Sequence, residues 1–450
     1  MNDDRARDAL TLAEAVLAQA MDQGVTEAEA LVMAEDSALT RFANSEIHQN
    51  VAETNVVINL RVVVGRRIGV ASSGRTDPEG LRRLAENAAA IARVVEELDD
   101  WGGLPGPTEA TAVAAGYSPA TDTASPEFRA DAARAVIAAA DAAGVVAYGS
   151  FATGTESAAV ANSRGVRVGG TRTTSQLITV SMGPDGGTGY AESAAVDAGT
   201  IDAAAIGREA ADKARATASA VSIEPGDYPV VLEEYAVVDL LDMLGYLGFS
   251  ALAVQEERSF FEAGKRIGSD LVTITDDGRD PAGLPMWFDY EGVAKQRVEL
   301  VDRGICRNVV YDAQTAARAG ATSTGHGLPA PNPYGPFPLN MVMAAGTASR
   351  DDLIGGLDRG LLVTRFHYTN PVHPKLAIVT GMTRDGTFLV EGGQIVGPVK
   401  NLRYTQSYLE AIARTVAVAS DRRTLRGFLG GVVVPAVRIE AWTFTGGTEH

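Results

Sequence analysis

In the run YPVVLEEYAVVDLLDMLGYL, residues Tyr228 to Leu247, a helix begins that carries four carboxylates but no histidine and no cysteine. Glu233 and Glu234 stand at its start, where the helix dipole favours negative charge. Asp239 and Asp242 lie three positions apart and share a face, which is expected to be solvated. The preceding EPGDY, Glu224 to Tyr228, is the expected start of a second domain. The chain therefore reads as two domains, 1–222 and 223–450.

Working back from this run, the first half alternates helices with extended segments. Asp4 to Gln23 carries Leu10, Ala13, Val16, Leu17 and Ala20 at helical spacing. Glu29 to Ala34, Glu53 to Val64 and Arg67 to Ser72 are rich in β-branched residues and are expected as strands, with Gly65 at the turn. Thr76 and Glu79 read as a capping box for a helix from Pro78 to about Leu98. Gly102 to Pro126 reads as a long connection. A helix from Ser125-Pro126 to about Ala143 follows, then strands Val145 to Thr153 and Ala158 to Asn162, and a strand pair across Val166 to Met182. Gly187, Gly189 and Tyr190 suggest a hairpin turn rather than a phosphate cradle, because no GxxxxGK[ST] pattern accompanies them. Ile201 to Ala218 is the last helix of this half.

The second half holds several short strings of chemical interest. Asp289-Tyr290-Glu291-Gly292 precedes VELVDRGICRNVVYDAQTAARAG, and Ser323-Thr324-Gly325-His326-Gly327 follows. Glycines on both sides of His326 would let backbone approach a ligand closely. His367 and His373 flank Pro371 in RFHYTNPVHPK, so a regular strand there is doubtful. Asp276-Asp277-Gly278 lacks the remaining ligands of a calcium loop and reads as a turn. PAPNPYGPFP, Pro329 to Pro338, is stiff and extended, and resembles a clamp or interface arm more than a catalytic element. The serines form no GxSxG elbow.

These strings, in this order, resemble the TldD/PmbA metallopeptidase family. DYEG and STGHG are similar to its D-x-E-G and STGxG segments, and TGMTRDGTFLVEGGQIVGPVKNLRY, Thr380 to Tyr404, to its late hairpin. Thr40 to Asn44 with Ile47-His48 is similar to its RFANxxIH stretch. Tyr228 to Leu247 is similar to the segment that, in the TldD branch, carries a zinc-binding HExxxH on a helix. Matching Leu240 and Leu241 to the apolar pair before that motif puts Asp242 at the first ligand, Met243 at the general base and Leu247 at the second ligand. Zinc peptidases need imidazoles or a thiolate around the metal and a carboxylate to take a proton from water, which Met and Leu cannot supply. The family's third ligand, a cysteine near the carboxyl end, is missing from Thr424 to Trp442. Cys306 stands in a strand and is expected as a small buried hydrophobe.

The resemblance implies an α+β, two-domain fold with a sheet-rich C-terminal domain. It also implies the PmbA (TldE) branch: a subunit with no metal of its own, forming a heterodimer with a zinc-bearing TldD-like partner. That complex would hydrolyse peptide or amide bonds in unfolded peptides or peptide-like natural-product intermediates, held as an added strand. Ser323, Thr324, Gly325, His326, Asp289 and Glu291 are the residues expected to contact substrate. Two rivals follow from the same residues: a hydrolase with a metal site reassigned to His326, His367 and His373, and a regulatory binding module without a hydrolytic role.

Composition narrows the remaining classes. The 450 residues are 46% hydrophobic, enough for a large core, and the net charge of −18 argues against a phosphate-backbone partner. No apolar run reaches membrane-spanning length, and MNDDRARDAL lacks the basic and apolar regions of a signal peptide, so a cytoplasmic location is expected. One cysteine allows no internal disulfide.

Overall fold

A computed structural model describes residues 2–447. The first half is built from α1 (Asn2–Met21), β1 (Glu27–Ala43), β2 (Glu46–Val64), β3 (Arg67–Ser73), α2 (Pro78–Val94), α3 (Pro119–Asp122), α4 (Pro126–Ala142), β4 (Val146–Asn162), β5 (Arg167–Met182), β6 (Thr188–Ala195) and α5 (Ala203–Ala216). Its six strands form one antiparallel sheet in the order β3-β2-β1-β4-β5-β6. Helices α1 and α2 bury Val16, Leu17, Leu84 and Ala88 against Ala30, Val32, Leu60 and Val62. Further along the same sheet, α4 and α5 bury Val136, Ala140, Ile206 and Ala210 against Phe151, Leu177 and Ala191. A second apolar contact joins Leu31, Ala158, Val160 and Val166 to Trp287 and Phe288 of the second half.

Several expectations change in detail. The strands are longer than their apolar centres: Glu29 to Ala34 extends through RFA to Ala43, and Asn44 and Ser45 make the turn with positive φ. Val145 to Thr153 and Ala158 to Asn162 are one strand, since Thr155 and Ser157 are buried within the sheet, hydrogen-bonded to Asp122 and Thr171. Val166 to Met182 is likewise a single strand, not a pair. Asp77, not Thr76, caps α2 by accepting the Gly80 N–H. The glycine-rich turn is a hairpin; Gly189 lies in β6, where a Cβ would stand 2.1 Å from the Ala210 carbonyl oxygen of α5. That glycine serves close strand-to-helix packing.

The second half comprises β7 (Gly226–Leu232), α6 (Glu234–Gly248), α7 (Ala251–Gln255), β8 (Ile274–Asp276), β9 (Val298–Asp302), β10 (Ile305–Cys306), α8 (Ala313–Ala319), β11 (Met341–Met343), α9 (Arg350–Gly355), β12 (Arg359–His373), β13 (Ile378–Glu391), β14 (Gln394–Pro398), β15 (Leu402–Ser407), α10 (Tyr408–Ala413), β16 (Thr415–Arg426) and β17 (Gly431–Gly447). All eleven strands belong to one sheet. Within it β7 pairs with both β12 and β17, so β7, β12, β13, β15 and β17 close into a ring. Closure leaves no free edge among those five strands. Phe366, Tyr404, Tyr408 and Trp442 pack ring against ring in the core, the Phe366 and Trp442 centroids 4.8 Å apart. Helix α6 joins this core through Leu240, Leu241, Leu244 and Leu247. Cys306 is fully buried in it, as a small hydrophobe would be. This is an α+β fold with a sheet-rich C-terminal half.

Candidate functional site

Helix α6 is apolar almost all round, and such a helix is enclosed by its neighbours. Among its residues only Asp239, Met243 and Tyr246 are partly open, at spacing i, i+4 and i+7, which is one face. The expectation of a solvated face for Asp239 and Asp242 is therefore corrected. Asp242 is buried; its Oδ2 accepts the Phe428 N–H at 2.6 Å, and burial raises its carboxyl to about 7. Asp239 accepts a hydrogen bond from the Tyr408 hydroxyl at 2.8 Å, and burial raises its carboxyl to about 6. At the start of α6, Glu233 and Glu234 are buried and have cationic neighbours: Lys213 stands 2.6 Å from Glu233, Arg350 bonds to Glu233, and Arg423 lies 3.9 Å from Glu234.

The three positions matched to a zinc motif point to three different surroundings. Asp242 faces the turn between β16 and β17, Met243 faces a cavity, and Leu247 is buried in the core. One carboxylate, one thioether and one alkyl group so arranged do not fit a zinc ion. Among the described residues no three His, Cys, Asp or Glu side chains are grouped to hold a metal.

The cavity beside α6 has a volume of about 680 Å³. Asp239, Met243 and Tyr246 form one wall, Phe366 to Thr369 and Pro371 of β12 another, and Tyr334, Phe337 and Phe428 reach in from loops. Tyr246 is the hub of its rings, with centroids 5.6 Å from Phe337 and 6.4 Å from Phe428. The loop Pro329 to Pro338 thus lends two aromatic rings to this wall, through Tyr334 and Phe337. His367 is pushed towards its neutral form, first by burial and then by the charges of Arg384 and Arg365.

The DYEG and STGHG strings meet elsewhere, in the interior. Asp289 accepts backbone N–H groups of Glu291, Val293 and Gly327 at 3.0, 2.8 and 2.7 Å. Glu291 accepts from Arg61 of β2 at 2.9 Å and from the Ala313 N–H at the start of α8 at 2.8 Å. Arg61 also reaches Glu29 at 2.7 Å, so Glu291 ties the two halves together. His326 is fully buried, its Nε2 2.8 Å from Asp276 Oδ1 and its Nδ1 2.9 Å from Thr324 Oγ1. Lys295, also buried, stands 3.4 Å from the same Asp276 oxygen, and the Asn340 N–H donates to the other at 2.7 Å. Burial opposes the Asp276 carboxylate, but Lys295, His326 and the Asn340 N–H outweigh it and hold its carboxyl well below the usual range. Asp276 itself ends β8, and the turn begins after it.

All six residues expected to contact substrate are thus brought into one neighbourhood, and each has partners inside the chain. Ser323 Oγ bonds to the Tyr311 carbonyl at 3.2 Å and accepts the Gly325 N–H at 3.2 Å. Gly325 has φ 74°, and a Cβ there would stand 2.5 Å from the Ala294 carbonyl oxygen, so this glycine admits a neighbouring segment of the chain itself. The three imidazoles proposed for a reassigned metal site are separate. His326 sits in the Asp276 network, His367 lines the α6 cavity, and His373 is exposed at the end of β12. The aromatic cavity was not anticipated from sequence. Its signal was available in the spacing of Asp239, Met243 and Tyr246 on a helix otherwise wholly apolar.

Comparison with known proteins places this geometry. Models of the PmbA/TldA metallopeptidase family match along the chain: domain 1 over residues 28–92, the central domain over 119–218 and the C-terminal domain over 225–446. The chain is 29% identical over 271 residues to the metalloprotease TldD homolog of Haemophilus influenzae, covering 56% of this chain and 55% of that protein. It is 29% identical over 212 residues to the metalloprotease TldD homolog of Buchnera aphidicola subsp. Acyrthosiphon pisum, covering 45% and 42%. It thus spans about half the length of these relatives. The crystal structure of TldE from Thermococcus kodakarensis shares the fold, with a TM-score of 0.88 at 21% identity over 97% of this chain and all of that one. The three matched domains together take in most of the sequence, and the chain belongs to the PmbA/TldD metallopeptidase family.

Proposed function

We propose that this chain is a non-catalytic, TldE-like subunit that forms a heterodimer with a TldD-like zinc metallopeptidase. In that assembly it walls the chamber in which the partner hydrolyses a peptide or amide bond of an unfolded peptide or peptide-like natural product. The observation that carries this reading is the fate of α6. The helix is kept, yet Asp242, Met243 and Leu247 stand where the ligands and base would be and face a turn, a cavity and the core. Relatives named as TldD metalloproteases supply the chemistry such a partner would bring, and the likeness to a TldE supports the subunit role. Zinc is assigned to the partner, and the cytoplasm is the proposed location. No described helix is long and apolar enough to cross a membrane.

The test is co-expression with the TldD-like protein of the same genome, followed by size-exclusion chromatography and a peptide-hydrolysis assay. Co-elution, with hydrolysis by the complex and none by this chain alone, is the expected result. Hydrolysis by this chain alone would overturn the reading.

A further inference from the structure

The α6 cavity holds a feature that a degenerate metal site does not require. Asp239 is a carboxylate on its wall with no cationic partner among the described residues; its neighbours are the Tyr408 hydroxyl and Thr369. Among the other buried acidic side chains, Asp276 has Lys295, Glu291 has Arg61 and Glu233 has Lys213, while Asp242 and Asp289 are held by backbone N–H groups. Asp239 instead faces an aromatic space formed by Tyr246, Phe337, Phe366, Tyr368 and Phe428. Ring faces attract a cation electrostatically, and a carboxylate at the base of such a space fixes where its charge sits.

The chemistry narrows the cation. A metal ion would need several oxygen or nitrogen ligands, and the cavity wall offers one carboxylate with rings around it. A guanidinium is best held by two free carboxylate oxygens, whereas Tyr408 and Thr369 already bond to this carboxyl. An ammonium needs only a point contact, and an alkyl or backbone stem would lie along the rings. His367, the imidazole on the opposite wall, is held towards its neutral form and does not compete for Asp239. The Tyr404 hydroxyl, 2.8 Å from that of Tyr408, continues a hydrogen-bonded chain that fixes the carboxylate from behind.

We infer that the α6 cavity binds the primary ammonium group of a peptide, either a lysine side chain or an amino terminus, with Asp239 as its counter-charge. This site belongs to the chain alone and does not depend on the heterodimer proposed above. Calorimetry on the isolated full-length chain at pH 8 tests it with four probes. N-acetyl-lysine methylamide is set against N-acetyl-norleucine methylamide, and alanyl-alanine methylamide against its N-acetylated form. At least one ammonium-bearing probe binds at least about tenfold more tightly than its neutral counterpart, and which one does so names the source of the ammonium.

Asp239→Asn removes that preference while circular dichroism and melting temperature stay at or above those of the parent. Met243→Lys, which supplies a competing ammonium one helical turn along the same face, removes it too. The second variant keeps the test open should the first fail to fold. Equal binding of charged and neutral probes, or a preference that survives in either folded variant, overturns the inference. Because no partner is present, that failure is distinct from failure to form a heterodimer or to hydrolyse peptide.

Discussion

Two buried carboxylates of the second half, Asp276 and Asp242, have opposite electrostatic fates. Asp276 is surrounded by Lys295, His326 and the Asn340 N–H, which hold it ionised in the interior. Asp242 receives backbone N–H groups near Phe428 and no cation, and burial raises its carboxyl to about 7. Charge buried with a counter-charge becomes part of the framework. Charge buried without one is destabilising at neutral pH and is tolerated where something else requires it. The first arrangement underlies the STGHG loop. The second lies on α6, next to the cavity that Asp239 lines.

The sharpest way to break this contrast is to make the same substitution on both sides. Asp276→Asn leaves Lys295 buried without a counter-charge and lowers stability at pH 7 by about 3–5 kcal/mol, read from denaturant midpoints. Because the folded carboxyl is depressed, its contribution is present above about pH 4 and is lost as pH falls, so the penalty shrinks in acid. A variant as stable as the parent at pH 7 would mean that the ion pair is not what secures the loop. Gly325→Ala comes next. It combines a left-handed backbone with a Cβ 2.5 Å from the Ala294 carbonyl oxygen, and costs about 2–4 kcal/mol by displacing the loop from the segment bearing Lys295.

On the other side the sign reverses. Asp242 has a raised folded pKa, so its contribution is fully present below about pH 4 and is lost as pH rises through about 7. Asp242→Asn, which keeps an oxygen to accept the Phe428 N–H, is therefore expected to gain about 1–3 kcal/mol over the parent at pH 8 and to lose that gain by pH 4. Destabilisation of this variant at pH 8 would show the carboxylate to be compensated after all. The smallest effect is that of Phe428→Ala. The ring is exposed and its backbone N–H remains, so stability moves by no more than about 0.5 kcal/mol, while affinity for an ammonium probe falls roughly two- to fivefold.

Much of the fold was legible where residue type and burial agree. The helices expected from Asp4, Pro78, Pro126 and Ile201 are present because apolar spacing is a local signal, although α2 stops at Val94 rather than near Leu98 and α5 starts at Ala203. Strand ends were lost because the sheet continues past its apolar centres. Glu35 to Thr40 and Glu46 to Asn55 are mostly polar or exposed yet still paired, and TGTES in β4 is polar but hydrogen-bonded inside the sheet. For the candidate site, the absence of histidine and cysteine from α6 is visible residue by residue. Charge alone does not place Asp239 and Asp242 on a solvated face: α6 is apolar on every other side and enclosed, so Asp242 is buried and Asp239 opens only onto the cavity. That Glu233 meets Lys213, or that His326 meets Asp276 fifty positions away, depends on tertiary pairing that no local pattern encodes.

Under the heterodimer proposed above, α6 holds no metal of its own and the zinc belongs to the partner. Elemental analysis after equilibrium dialysis against zinc, on this chain alone and on its complex with the TldD-like protein, tests it most directly. Zinc retained in stoichiometric amount by the complex and not by the isolated chain is the predicted result. Stoichiometric zinc on the isolated chain, abolished by substitution of Asp242, would contradict it.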